Sequence, residues 1–103
     1  MEVVWSKTAK NSLATTIRFI KGNFGEGVAK TIRLEIEKRV GQLVVYPLLG
    51  KEDEKHLTSG RKIRYIIVNR RSRVYYYLQN QRIYIILVWD TRQDIHSLKK
   101  LLS

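Results

Sequence analysis

Between residues 55 and 89 the chain carries Lys55, Arg61, Lys62, Arg64, Arg70, Arg71, Arg73 and Arg82, and no acidic residue. Tyr75 and Tyr77 are interleaved with them. Such a set suits a polyanion, because cationic side chains neutralise phosphates and aromatic rings offer stacking platforms for bases. Arginine stays charged at any working pH, so it stabilises charge well and trades protons poorly. Proton transfer would therefore fall to His56, His96, Tyr75, Tyr77 or Asp90. Each of these has a plainer reading. The histidines suit a surface, the tyrosines suit sheet packing, and Asp90 suits a strand-end turn or the orientation of Arg92 two residues on. Arg70 and Arg71 read equally as a solvated turn and as contacts for phosphate or a partner protein. Two distant histidines and no cysteine meet no zinc spacing, and no glycine-rich phosphate loop occurs, so neither a metal nor a cofactor is expected.

The elements that must position these residues are written in the same stretch. Runs 64–69, 73–78 and 82–89 are dominated by Ile, Val, Tyr and Leu, residues that fit a pleated, half-buried surface. The links between them are short enough for hairpins, which predicts an antiparallel meander. Alternation along 73–78 places Val74, Tyr76 and Leu78 on one face and Arg73, Tyr75 and Tyr77 on the other. The aliphatic set suits a helix-covered face, where the Tyr76 hydroxyl needs a partner; the arginine and two tyrosines suit an open face. In the last run Ile83, Ile85, Leu87 and Trp89 alternate with Tyr84, Ile86 and Val88. Apolar residues on both faces predict a central strand.

Upstream, residues 2–5 form a short strand, and Ser6 offers the N-cap of a helix through about residue 21. Ala9, Leu13, Ile17 and Ile20 define its buried stripe, and Gly22 and Asn23 its end. A second helix spans roughly 26–45, with Ala29, Ile32, Ile36, Val40 and Leu43 facing inward, until Pro47 stops it. Residues 47–62 read as a loop. After the meander, Thr91 or Asp94 caps a short final helix through Leu101. The expected fold is α+β, in the order β-α-α-β-β-β-α, with a helical hairpin on one face of a mostly antiparallel four-stranded sheet. A first strand parallel to the last would lie beside it, with the helices as the crossover.

Residues 1–103 suit one domain with a single modest core. The formal net charge of +11 favours a polyanionic partner, whether nucleic acid, an acidic protein or anionic lipid. The absence of cysteine suits a reducing cytosol. The opening MEVVWSKTAK has no apolar core of a signal peptide, and no apolar run approaches membrane-spanning length. A cytoplasmic protein without membrane contact is expected.

The element order, the strands RVYYYL and RIYIILVW, the ending DTRQD, the opening VVWSKTAKNSL and the helix end QLVVYPLLG together resemble the RelE/ParE superfamily, toxins of bacterial type II toxin–antitoxin systems. The resemblance covers essentially the whole chain. It implies a compact toxin neutralised by a small, usually acidic antitoxin encoded beside it. RelE-like members cleave messenger RNA in the ribosomal A site; ParE-like members poison DNA gyrase. By resemblance, Arg73 matches the third-strand arginine that positions RNA in ribonuclease members, and Arg92 the arginine linked to transition-state stabilisation. Arg64 falls at a basic position of the second strand of that pattern. Ile66 stands where ribonucleases show a second lysine, Leu98 near the place of their C-terminal tyrosine, and Asp90 and Thr91 where other branches place histidine.

Three functions compete. A ParE-like, gyrase-directed inhibitor fits the incomplete acid–base set and is preferred. A ribosome-dependent endoribonuclease would use Arg73 and Arg92 as catalytic residues, with Arg64, Arg70, Arg71, Tyr75 and Tyr77 on RNA or another target. A plain nucleic-acid-binding module needs only the charge.

Overall fold

Ser6 joins the first strand to the first helix: its backbone is extended and its hydroxyl accepts a hydrogen bond from the Ala9 amide at 3.0 Å. The computed structural model describes residues 1–54 and 60–93. Their elements run β1 (Glu2–Trp5), α1 (Lys7–Phe24), α2 (Glu26–Gln42), β2 (Lys51–Glu52), β3 (Arg64–Val68), β4 (Ser72–Gln79) and β5 (Arg82–Asp90). The expected final helix lies outside the described residues, as do His56 and His96.

α1 continues past Lys21, where the sequence pattern ended it. Gly22 stays helical at a cost of about 1 kcal/mol relative to alanine, and the break falls at Gly25, with φ +95°. One residue serves both helices there: the Gly25 amide donates to Lys21 and its carbonyl accepts from Ala29. A side chain would strain that backbone. α2 stops at Gln42, short of the expected Val45. The Leu43, Val44 and Val45 amides each donate to the residue three back, a tightening that ends the helix ahead of Pro47.

The sheet has the order β1-β5-β4-β3-β2. β1 runs parallel to β5, from Glu2 opposite Arg82 to Trp5 opposite Ile85, and every other neighbour is antiparallel. The helical hairpin is thus the crossover between β1 and β5, and β5 is central, as its two apolar faces predict. The sheet has five strands where four were expected. The extra strand is Lys51–Glu52, inside the segment read as loop. Two residues are too few to show an alternation.

The helix-covered face holds Ile66, Val68, Val74, Tyr76, Ile83, Ile85 and Val88 against α1 and α2. α1 differs from its expected stripe. Its fully buried residues are Ala9, Ser12, Thr16 and Ile20, while Leu13 and Ile17 are half-buried. The two hydroxyls explain this. β1 pairs with β5 only as far as Ile85. Beyond it, Ser12 Oγ accepts from the Val88 amide at 2.9 Å and Thr16 Oγ1 donates to the Val88 carbonyl at 3.3 Å. The helix completes the strand edge that β1 leaves open, because buried backbone groups need partners.

The other face is less open than the alternation implied. Ile63, Tyr75, Leu87 and Trp89 form a second buried cluster with Tyr65, Tyr77 and Ile86 packed against it. Leu87 and Trp89 reach that face through a register shift. Tyr75 lies opposite Leu87 and Tyr76 opposite Ile85, which leaves Ile86 as an extra residue on β5. Such a bulge inverts the parity of everything beyond it. Ile83 and Ile85 therefore face the helices, and Leu87 and Trp89 face away.

Candidate functional site

Arg73 stands on the face away from the helices, opposite Ile67 on β3 and Trp89 on β5. Its guanidinium lies 4.8 Å from the centre of the Tyr65 ring. Tyr65 and Tyr75 pack with ring centres 5.7 Å apart. Tyr75 is only 2% exposed. Burial raises its pKa above the ordinary tyrosine value; the hydrogen bond and charge of Arg73 pull it back, and Asp53 and Tyr65 push it further up. It is therefore a protonated hydroxyl at neutral pH and a poor general base. The Arg73 Nε atom is buried without a hydrogen-bond partner among the described residues.

Farther along β4, Tyr77 stacks on Tyr84 at 4.9 Å, with 15° between the rings, and the Arg61 guanidinium sits 4.4 Å over Tyr77. This face thus carries two arginine–tyrosine units, Arg73 on Tyr65 and Arg61 on Tyr77. Contacts of this kind use the ring's negative face and leave the guanidinium's charge in place. Tyr65 is not among the sequence candidates, which count Arg61 only within the basic run and Tyr84 only within the strand alternation. The pairing of Tyr77 with Tyr84 was open to inference, since a two-residue turn at Asn80 and Gln81 fixes that register.

Arg64 serves another part of the molecule. It donates to the Gly50 carbonyl at 2.8 Å and to Glu52 at 3.4 Å, which ties β3 to β2. Beside it, the Tyr76 hydroxyl accepts from the Gly50 amide at 2.9 Å and donates to the Pro47 carbonyl at 2.8 Å. That is the partner the covered tyrosine needed. Burial raises the Tyr76 pKa, against the Gly50 hydrogen bond and the charge of Arg64.

Arg92 is held at the far end of β5. Its Nε donates to Asp90 Oδ1 at 2.9 Å, its Nη2 to Oδ2 at 2.7 Å, and its own amide to Oδ1 at 2.9 Å. The guanidinium also lies 4.1 Å over Phe24 at the end of α1. Asp90 is fully buried, and its bond holds the Arg92 pKa above the ordinary value against the cost of desolvation. Asp90 shares a sheet face with Val88, toward the helices, whereas Arg73 faces away. Arg64, Arg73 and Arg92 consequently do not converge on one surface. Arg70 and Arg71 are exposed in the turn between β3 and β4, and neither forms an ion pair among the described residues.

Of the sequence candidates, then, the fold brings together Arg73, Tyr75 and Tyr77, and separates Arg64 and Arg92 from them. The face can hold an anion against fixed positive charge. Beside that charge lie the Tyr75 hydroxyl and the Asp53 carboxylate, whose charge reaches Tyr75. No group of three or more residues suited to holding a metal occurs among the described residues, and no helix among them is long and apolar enough to cross a membrane.

A family model described as the ParE toxin of type II toxin–antitoxin systems, parDE, matches residues 3–95. A solved chain from the chromosomal ParDE TA system of P. aeruginosa has the same fold, with a TM-score of 0.72 at 18% identity, covering 89% of this chain and 97% of that chain. No curated protein matches.

Proposed function

The chain belongs to the ParE toxins of type II toxin–antitoxin systems, and from that premise we propose that it arrests growth by binding DNA gyrase rather than by cutting RNA. The observation that carries this reading is the state of Arg92. In ribonuclease relatives the matching arginine serves the transition state. Here the Nε–Nη2 edge of its guanidinium is closed on a buried carboxylate and its face lies over Phe24. Arg64 is likewise committed to Gly50 and Glu52. RNA cleavage through the 2′-hydroxyl needs a base, an acid and charge on the phosphate together. Protein binding needs only an accessible surface. Exposed Arg70 and Arg71 supply one, and the net charge of +11 steers it toward an acidic target.

The partner in this reading is an acidic antitoxin encoded beside the toxin, and the site of action is the cytoplasm, where gyrase meets DNA. Two assays on the purified protein decide the target. Gyrase supercoiling is followed in one, and a translated message is mapped by primer extension in the other. Loss of supercoiling with an intact message supports the reading. Cuts that appear only during translation, with gyrase unaffected, overturn it in favour of a ribosome-dependent ribonuclease.

A further inference from the structure

α1 carries one sign of charge. Its 18 residues include Lys7, Lys10, Arg18 and Lys21 and no acid. All four side chains are exposed. At about 3.6 residues per turn they fall within an arc of about 80°, and Lys7 to Lys21 spans about 21 Å along the axis. Asn11 and Ala14, also exposed, lie between them on the same arc. Of the four, only Lys21 forms an ion pair among the described residues, with Glu26 at 3.7 Å in an exposed position. α2 is built differently. It mixes three glutamates with four basic residues and pairs Arg33 with Glu37 at 3.8 Å.

The stripe works against the helix that bears it. Lys7 opens α1 at the positive end of the helix dipole, and no acid in the first turn offsets it. Lys7 and Lys10 are three apart, as are Arg18 and Lys21, and like charges at that spacing repel. Charge that weakens its own helix and is not neutralised within the fold suits a partner outside it. The other residues of the stripe narrow the choice. It has no aromatic ring on which an unstacked base would lie. It has no exposed apolar side chain larger than Ala14 to enter a bilayer. A straight row of cations remains, and it matches the regularly spaced phosphates of a duplex.

We propose that α1 binds the phosphate backbone of duplex DNA without regard to sequence, as a second activity of the toxin. DNA is preferred to RNA because gyrase works on it, and that choice alone rests on the gyrase reading above. Held by α1, the toxin reaches its target by sliding along the duplex that gyrase occupies.

The probe is a labelled DNA duplex of about 20 base pairs and arbitrary sequence, titrated without gyrase at several salt concentrations. Four phosphate contacts give log K against log salt a slope of about −3.6 or steeper. The combined Lys7→Gln, Lys10→Gln, Arg18→Gln and Lys21→Gln variant should flatten that slope by about 3 and weaken binding about tenfold or more. Its melting temperature should not fall, because the repulsion is gone. Ala14→Glu removes no cation and sets an acid in the middle of the stripe; it too should weaken binding, and it decides the matter if the fourfold variant unfolds. Unchanged binding in Ala14→Glu and the fourfold variant overturns the proposal. So does loss of the slope in Arg70→Gln with Arg71→Gln instead. Equal or tighter binding of an RNA duplex of the same sequence overturns DNA as the occupant, as does binding to phosphatidylserine vesicles without binding to DNA. Supercoiling is assayed separately. Inhibition of gyrase by a toxin that does not bind the duplex overturns the α1 contact and leaves the gyrase reading standing. Duplex binding through α1 with supercoiling unchanged does the reverse.

Discussion

Asp90 and Arg92 are two residues apart, yet their pairing is more a matter of stability than of display. Asp90 is fully buried, and Arg92 supplies two side-chain bonds to it. Removing one partner leaves a buried charge uncompensated, so Arg92→Ala should cost about 2–4 kcal/mol. Urea denaturation checks this. Loss of toxicity in that variant would then follow from unfolding, whereas Arg73→Ala removes a half-exposed side chain stacked on Tyr65. Gly50 is fixed for a steric reason. A Cβ there would lie 2.7 Å from the Tyr76 ring and 2.8 Å from the Tyr65 carbonyl oxygen. Gly50→Ala should destabilise by about 1–3 kcal/mol through overpacking, seen as a lower denaturation midpoint with an unchanged slope. Tyr75 and Tyr76 add a pH dependence. Both have folded pKa values raised above 10.0 by burial. Below the unfolded value both states are protonated and the stabilisation is fully present. Above it the unfolded chain gives up its protons first, so stability falls as pH rises through the folded values. Thermal melts from about pH 9 to about pH 12 should show the decline, and Tyr75→Phe should make it shallower.

The elements are joined by turns that strain ordinary residues. Asn80 and Gln81 connect β4 to β5 with φ +52° and +60°. Two positive φ values in a two-residue loop match the right-handed twist of the flanking strands, and asparagine followed by glycine suits that turn best. Glutamine at the second place costs strain that glycine would not. Gln81→Gly should therefore stabilise by about 0.5–1 kcal/mol, read as a rise in melting temperature with the hairpin register unchanged. The bulge at Ile86 acts on the same strand in another way. It turns Leu87 and Trp89 to the face of Tyr75 and builds the second cluster. That cluster fixes Arg73 among aromatic rings. α1 then closes the strand beyond β1 with two hydroxyls, so a helix does the work of an edge strand.

Across the whole molecule, +11 net charge sits on a fold whose arginines have divided tasks. Arg64 and Arg92 hold the structure, Arg61 and Arg73 lie on tyrosines, and Arg70 and Arg71 extend into solvent. Under the gyrase reading proposed above, long-range steering depends on the sum and contact on the exposed pair. The double substitution Arg70→Glu with Arg71→Glu should leave the melting temperature within a few degrees, since exposed charges contribute little to stability. It should raise the concentration needed to inhibit gyrase supercoiling by about tenfold or more. Unchanged inhibition would move the contact elsewhere on the surface.

Much of this was legible in the chain. The period of 3.6 in Ala29, Ile32, Ile36 and Val40 and the alternation of Val74, Tyr76 and Leu78 identified the helix and strand faces, because those periods are properties of the backbone itself. β5 declared its central place through apolar residues on both sides. Ser6 declared the start of α1. What the chain concealed has one common cause: it depends on which segments meet. The partner of Glu52 is Arg64, twelve positions on across a loop, so β2 left no pattern. The bulge at Ile86 arises between two strands and reverses a parity that either strand alone would give. Ser12 and Thr16 look like solvent-facing residues until the Val88 backbone lies under them. The charges were countable from the sequence, but their separation into structural, stacked and free arginines was decided only when Asp90, Gly50 and the tyrosines were folded against them.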